Sequence, residues 1–537
     1  MTANKLVLSL AGVATVMAGG AAAYWQFSRV APDSFSPVAL AEVIPQSAYA
    51  AAYISTEAQS WSKLEQFGTP AARQNLQTEL EKLQQDAMQD SQIDLRKDLA
   101  WVGNAMVAVM PPADPASDSD PDLLVVVGIK DKLSALNFAK KLEGQPDTAL
   151  AQQQYQGTEV NHVTQDGNEF YTAVLKDYLI ASPELAAVER AIDTQQGQPS
   201  LAAGAGKLLN QTLDLQNSVA RFYVLDYAAA MQDLLAASPT PVPATMLTQL
   251  SQVKSVVGGI GIDDAGVRLK AQTDLDSAMA VSAKASSGQI VAQFPTETLA
   301  LVSGNALNEY WAQIVQHANS TSEAQLAVGG MRQAAKTYLN LDVDQELFGW
   351  MDGEFALGMV PATQGIFAQV GMGGRMVFET SNRKAAEATL NKLDGLAKQS
   401  FVGVTQPKQS VTEWSLPGQG VLLQHGWLDN NSLLITIGGS ADQGLKPAES
   451  LERSDSFQAA TASLPKQNLG YVYLNVEKML PLLNKTQMVS QSSASLAESA
   501  EANAALESIR GIAITSTQPS KMISEVEMLL SLKSAQK

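Results

Sequence analysis

One offset constrains this chain more than any other feature. Ile44-Pro45 matches Phe294-Pro295, Trp61 matches Trp311, Gly103 matches Gly353 and Pro111 matches Pro361, each pair 250 positions apart. Tryptophan occurs only seven times, so four such pairs at one spacing are hard to obtain by chance. The densest match is Asp94 to Pro111, DLRKDLAWVGNAMVAVMP, against Asp342 to Pro361, DVDQELFGWMDGEFALGMVP. Trp101 and Trp350 fall one residue out of step, which fits a single insertion or deletion. The spacing predicts two tandem repeats, 39–287 and 288–537. A period this long means duplicated domains rather than a solenoid, in keeping with a 537-residue chain that exceeds one ordinary core.

Within each repeat the same order of elements is expected. A Pro-led apolar strand opens it, and a helical region follows, Ala58 to Asp90 or Ala306 to Leu339. The matched block then reads as a short helical turn and a strand. Gly103 and Gly353 are expected to allow the bend between them, with Trp101 and Trp350 packed beneath. A second strand leads to an amphipathic helix, with Gly144 and Gly395 read as the caps that end it. A three-strand meander follows, turning at Asp166-Gly167 in the first repeat. A strand, a helix and a last hairpin close each repeat. Tight turns imply antiparallel pairing, so the class is α+β: tandem, mainly antiparallel sheets with flanking helices.

The amino terminus suggests placement. Lys5 precedes an uncharged run from Leu6 to Trp25, about as long as a bilayer core is thick. Tyr24 and Trp25 would sit at the interface. Residues 1–30 are read as a signal anchor or transmembrane helix; Ala21-Ala22-Ala23 leaves a cleaved signal as the alternative. Residues 31–38 read as a linker. By the positive-inside rule the bulk of the chain would lie outside the cytoplasm. The net charge of −18 argues against nucleic-acid binding. The absence of cysteine excludes disulfides and thiolate chemistry.

The Pro-bearing first strand, the Trp-containing helix and the D-x-x-x-D-L-x-W-x-G block ending in apolar residues and Pro resemble a cyanobacterial family of membrane-anchored proteins of unknown function. The resemblance covers most of the chain. It implies an anchored, extracytoplasmic protein at the plasma or thylakoid membrane, in periplasm or thylakoid lumen. It brings no catalytic residues with it.

Few residues point to chemistry. His162, His317 and His425 have no second His or carboxylate at ligand spacing on their own elements. Asp118, Asp120 and Asp122, with Asp114 nearby, alternate like the start of a calcium loop. Leu123 and Ile129, however, stand where such a loop needs Gly and Glu. They are a weak metal candidate. Gly371 to Arg375 resembles a phosphate loop but runs into a strand with no Lys-Ser/Thr. Asp94, Asp98, Asp342 and Glu346 read as helix-end charges, and Trp61 and Trp311 as packing anchors. No cofactor is expected. The expectation is a non-enzymatic binding or scaffolding protein with a protein partner and a membrane tether. A carrier of an apolar ligand or lipid, and a hydrolase using a carboxylate pair, are the alternatives.

Overall fold

The computed structural model describes residues 35–90, 94–113, 121–143, 148–165, 168–236, 253–276, 284–318, 322–362, 366–368, 370–400, 402–408, 411–438, 446–486 and 500–535. The expected anchor, residues 1–30, and the linker through residue 34 lie outside them. No helix among the described residues is long and apolar enough to cross a membrane. The fold is α+β, and every strand pairing described below is antiparallel. The chain divides into two compact units. Unit 1 is 1–280 with 522–524 and 534–537, and unit 2 is 281–521 with 525–533.

Unit 1 carries β1 (Ala50–Ile54), β2 (Val102–Met110), β3 (Asp122–Ile129), β4 (Thr148–Tyr155), β5 (Thr158–Gln165), β6 (Asn168–Leu175), β7 (Tyr178–Ser182), β8 (Ser218–Val224), β9 (Val253–Ile262) and β10 (Gly266–Leu275). They pair in the order β10-β9-β8-β1-β2-β3-β7-β6-β5-β4. The helices are α1 (Pro37–Leu40), α2 (Ala58–Ser62), α3 (Pro70–Asp90), α4 (Leu95–Asp98), α5 (Lys132–Glu143), α6 (Leu185–Gln195), α7 (Leu201–Leu209) and α8 (Tyr227–Ala236). The core gathers Leu40, Ile44, Met106, Leu124, Ile192 and Tyr223 from helices and sheet face. Alternation along β3, where every second side chain is buried, gives the sheet its covered face.

Unit 2 carries β11 (Ala300–Asn305), β12 (Glu354–Pro361), β13 (Met372–Glu379), β14 (Gly403–Lys408), β15 (Val411–Leu416), β16 (Gly420–Trp427), β17 (Ser432–Ile437), β18 (Tyr471–Leu474), β19 (Ile509–Ser520) and β20 (Ile523–Leu532). Their order is β20-β19-β18-β11-β12-β13-β17-β16-β15-β14. Its helices are α9 (Leu307–Ala318), α10 (Ser322–Ala334), α11 (Arg383–Gln399), α12 (Asp455–Thr461), α13 (Val476–Thr486) and α14 (Ala500–Glu507). One core packs Trp350, Phe355, Phe378, Leu390 and Leu433. A second, smaller one under α9 and α10 packs Trp311, Val328 and Val343.

Several expectations change. Each meander has one more strand than the sequence suggested, β4 and β14. Neither shows apolar alternation, and β4 is mostly exposed. Gly395 does not cap a helix. It lies within α11, which runs on to Gln399 and ends at Ser400; Gly144 lies outside the described residues. Gly103 and Gly353 do not make bends through unusual backbone angles, as neither has positive φ. They permit close approach instead. A Cβ on Gly103 would stand 2.8 Å from the Gly128 carbonyl and 2.8 Å from the Phe35 ring, and one on Gly353 would stand 2.7 Å from the Glu379 carbonyl. Phe35 and the first residues of α1, expected within the linker, pack into unit 1.

Candidate functional site

The most distinctive surface of unit 2 is built by α9, α10 and the turns after them. In α9, Trp311 and Ala318 face inward while Tyr310 and Ile314 stand on the surface, 44% and 54% exposed. In α10, Val328 is buried, whereas Leu326 is 76% exposed and Met331 51%. Gly329 and Gly330 add no side chain, and a Cβ on either would meet open space. With Gln325, Leu326 and Gln333 they make up one open face of α10.

The chain then widens into a π turn, Ala335–Leu339, closed by Asn340 at φ 49°, and forms a second π turn over Val343–Phe348. Such turns are frequent at functional sites. Tyr338, in the first, is 78% exposed. The scaffold beneath is tied down. The Trp311 ring stacks on Phe348 at 4.6 Å, and its Nε1 donates to Asp344 Oδ1 at 2.7 Å. Arg332 Nη2 donates to the same oxygen at 3.1 Å. The Asp342 carboxylate caps the second turn by accepting from the Asp344 and Gln345 N–H groups. The exposed apolar side chains therefore sit on an ordered base. Burying one leucine-sized side chain fully is worth about 1.5–3 kcal/mol, so the surface can drive association with a partner that covers it.

The residues singled out by sequence fall elsewhere. Asp114, Asp118 and Asp120 lie outside the described residues. Asp122 is no free ligand: it is buried in β3 and paired with Arg190, which also donates to the Pro111 carbonyl at 3.1 Å. Burial raises its carboxyl, and Arg190 opposes that shift. His162 stacks on Tyr171 at 4.5 Å, with Nε2 3.5 Å from Glu169. The His317 side chain lies outside the described residues.

His425 has the partner that its own strand did not offer. Its Nε2 is 2.9 Å from Asp394 Oδ1, which also accepts from Trp414 Nε1 at 2.6 Å. Burial works against the Asp394 carboxylate, but the bonds from His425 and Trp414 win and hold it below its ordinary value. The cluster clips α11 onto β15 and β16.

Asp98 binds Lys141, and Glu346 binds Lys392 at 2.9 Å. Each carboxylate also caps a turn, accepting from the Asp94 N–H at 2.8 Å or the Asp342 N–H at 2.7 Å. Trp61 Nε1 donates to the Ser55 carbonyl at 2.7 Å. Trp101 packs on Phe138, and Trp350 on Phe378. Gly373, in the Gly-rich run, is a sheet residue whose Cβ would stand 2.4 Å from the Ile437 carbonyl. Among the described residues no group of three or more His, Cys, Asp or Glu is placed to hold a metal ion. Sequence reasoning missed Leu326, Met331 and Tyr338. The signal that could have found them is the scarcity of charge between residues 306 and 339, where only Glu309, Glu323, Arg332 and Lys336 are charged.

No curated protein matches the chain. Among solved structures, crystal form III of TP0453 aligns at 8% identity with a TM-score of 0.26, over 46% of this chain and 81% of that one. Crystal form IV gives 6% and 0.27, over 44% and 81%. Scores this low carry no argument about fold or function. The family described as "protein of unknown function (DUF3352)" matches residues 10–532, and the chain belongs to that family.

Proposed function

We propose that this chain is a non-enzymatic, membrane-anchored binding or scaffolding protein outside the cytoplasm, serving the assembly or maintenance of a membrane complex. The observation that carries this reading is the exposed apolar surface of Tyr310, Ile314, Leu326, Met331 and Tyr338 on an ordered base. Large apolar side chains concentrated on one helical segment gain from a partner that covers them. The adjoining face of α10 is open rather than an enclosed cavity, which favours a protein partner over the enclosed ligand of a carrier.

The anchor belongs to the same reading: residues 1–30 hold the chain in the plasma or thylakoid membrane of a cyanobacterium. The two units are read as copies of one ancestral domain. Supporting this, the isolated bridges Pro45–Ser200 and Pro295–Ser450 keep the 250-residue offset. So do the hydrogen bonds from Leu201 N–H to the Ile44 carbonyl and from Leu451 N–H to the Phe294 carbonyl, both 2.7 Å.

The test is affinity purification of the anchored chain from gently solubilised membranes, beside the variants Leu326→Glu and Tyr338→Glu. A partner that co-purifies with the parent chain and is lost from both variants is the expected result. Co-purification of lipid without any protein would replace the scaffold reading by the carrier. N-terminal sequencing checks the anchor, since a chain beginning at Tyr24 has been cleaved.

A further inference from the structure

Three adjacent strands of unit 2 present polar side chains in one row near their ends. Asn305 of β11 stands opposite Glu354 of β12. Glu379 of β13 comes next, because Phe355 pairs with Phe378 and the Gly353 N–H donates to the Glu379 carbonyl at 3.2 Å. Directly opposed residues project from the same sheet face. Glu354 is 5% exposed and Asn305 9%.

One half of each side chain is bonded. Glu354 Oε1 accepts from Ser286 Oγ at 3.1 Å and from the Ser287 N–H, and Asn305 Nδ2 donates to the Ala285 carbonyl at 3.2 Å. The other halves, Glu354 Oε2 and Asn305 Oδ1, are buried without a hydrogen-bond partner among the described residues. A buried acceptor left bare costs about 1–3 kcal/mol, and more when charged. Two such oxygens on opposed residues, with a second carboxylate beside them, call for a positive species.

Unit 1 has a polar residue at the matching point without this deficit. Asn104 follows Gly103 as Glu354 follows Gly353. Its Oδ1 accepts from the Thr56 N–H at 2.9 Å and Thr56 Oγ1 at 3.2 Å. Its Nδ2 donates to Tyr53 Oη at 2.7 Å and the Phe35 carbonyl at 3.2 Å. A carboxamide suffices where the protein supplies every partner. The carboxylate stands where acceptors outnumber donors.

We propose that Asn305, Glu354 and Glu379 form a binding site for a hard divalent cation, Ca²⁺ or Mg²⁺, whose remaining ligands are water. Oxygen-only donors select hard cations, and the row contains no nitrogen or sulfur ligand for a softer metal. Two carboxylates balance the double charge, and the third oxygen is a carboxamide. Burial, followed by the charge of Glu354, pushes the Glu379 carboxyl above its ordinary range; a bound cation relieves both. Glu379 is only half-buried and gives the ion a way in.

The test uses the full chain, stripped with chelator and titrated separately with CaCl₂ and MgCl₂ while thermal unfolding is followed; calorimetric titration of the folded chain gives the affinity. The parent midpoint should rise at low concentration of one ion, which identifies the preferred cation. The rise should fade as pH falls into the carboxylate range. Glu354→Gln and Glu379→Gln should each weaken binding by about tenfold or more, since losing a ligand costs at least what losing its support does. Glu379→Gln, the less buried change, decides the matter if Glu354→Gln does not fold. A midpoint unmoved by millimolar ion sinks the proposal. So does an equal rise in parent and variants, which is diffuse screening of the −18 net charge. A Glu354→Gln chain more stable than the stripped parent and indifferent to ions would mean a protonated Glu354 bonded to Asn305, and would also overturn it.

Discussion

Units 1 and 2 order their strands identically but dress the helical segment after the first strand in opposite ways. In unit 1, residues 58–90 carry Lys63, Glu65, Arg73, Glu79, Glu81, Lys82, Asp86 and Asp90. These charges keep α3 comfortable in water, and among its described side chains Leu76 is the one large apolar group exposed. In unit 2 the matching segment holds half as many charges and shows Leu326 and Tyr338 at its surface. The sheet and its pairing do not require either surface. One topology therefore leaves the outer face of its helices free to serve a separate purpose, and the unit with the apolar face is the better place to look for a partner.

The comparison can be broken first at the buried ion pair that belongs to unit 1 alone. Asp122 has Gly373 at its matching position in unit 2, since Met110 pairs with Asp122 and Val360 with Gly373. Arg190→Met leaves Asp122 buried without its counter-charge, and chemical denaturation should show a loss of about 3–5 kcal/mol at pH 7. Because burial already raises the Asp122 carboxyl, protonation removes the bare charge, and the deficit should shrink as pH falls. Next comes the clip that belongs to unit 2. Asp394→Asn should cost about 1–3 kcal/mol at neutral pH, the scale of hydrogen bonds to a charged group. The folded carboxyl titrates below its ordinary value of 3.8. Its contribution is thus complete above 3.8 and is lost as pH falls through the lower folded value, so unfolding curves of parent and variant should converge in acid. His162→Asn in unit 1, where the ring stacks on Tyr171 and Nε2 stands 3.5 Å from Glu169, should change stability less.

Smaller effects sharpen the same contrast. Tyr223 and Tyr473 occupy matching, fully buried positions. The Tyr473 hydroxyl lies 3.0 Å from Ser456 Oγ, whereas that of Tyr223 reaches the Leu209 carbonyl at 3.4 Å and interacts with the Arg221 side chain. Tyr473→Phe should lose about 1 kcal/mol in urea unfolding, and Tyr223→Phe less. Last, Leu326→Glu and Leu76→Glu should each leave stability within about 0.5 kcal/mol of the parent, as exposed substitutions do. Only the first should reduce partner retention in the pull-down. Equal retention by both would remove the distinction between the two helical faces.

The α+β class and most of the strands were legible because apolar alternation and tight turns are local. Gly103, Gly353 and the Trp pairs gave the offset, and β2, β3, β12 and β13 lie where their patterns put them. β4 escaped because TALAQQQY is exposed and polar, so burial leaves no period in it. Gly395 misled because glycine inside a long helix and glycine after its end look alike until the helix end is known. The sites were illegible for a different reason. His425 meets Asp394 from another element, and Asn305, Glu354 and Glu379 meet only through sheet register. No single window of sequence contains either group. Leu326 and Tyr338 hid among apolar residues at helical spacing, where inward and outward positions differ by a rotation that packing decides.

Phe35 has a mechanical consequence. Its ring is wedged over Gly103 and Gly128, where a Cβ on Gly128 would come within 2.5 Å of it, and edges against Tyr178. The first described residue of unit 1 is thus already held by the fold. If Trp25 marks the bilayer surface, the chain between it and Phe35 reaches at most roughly 35 Å even when fully extended. Under the proposed anchoring, unit 1 would stay within that distance of the bilayer. Such confinement turns weak encounters with neighbouring membrane proteins into frequent ones, by raising local concentration rather than by adding contacts.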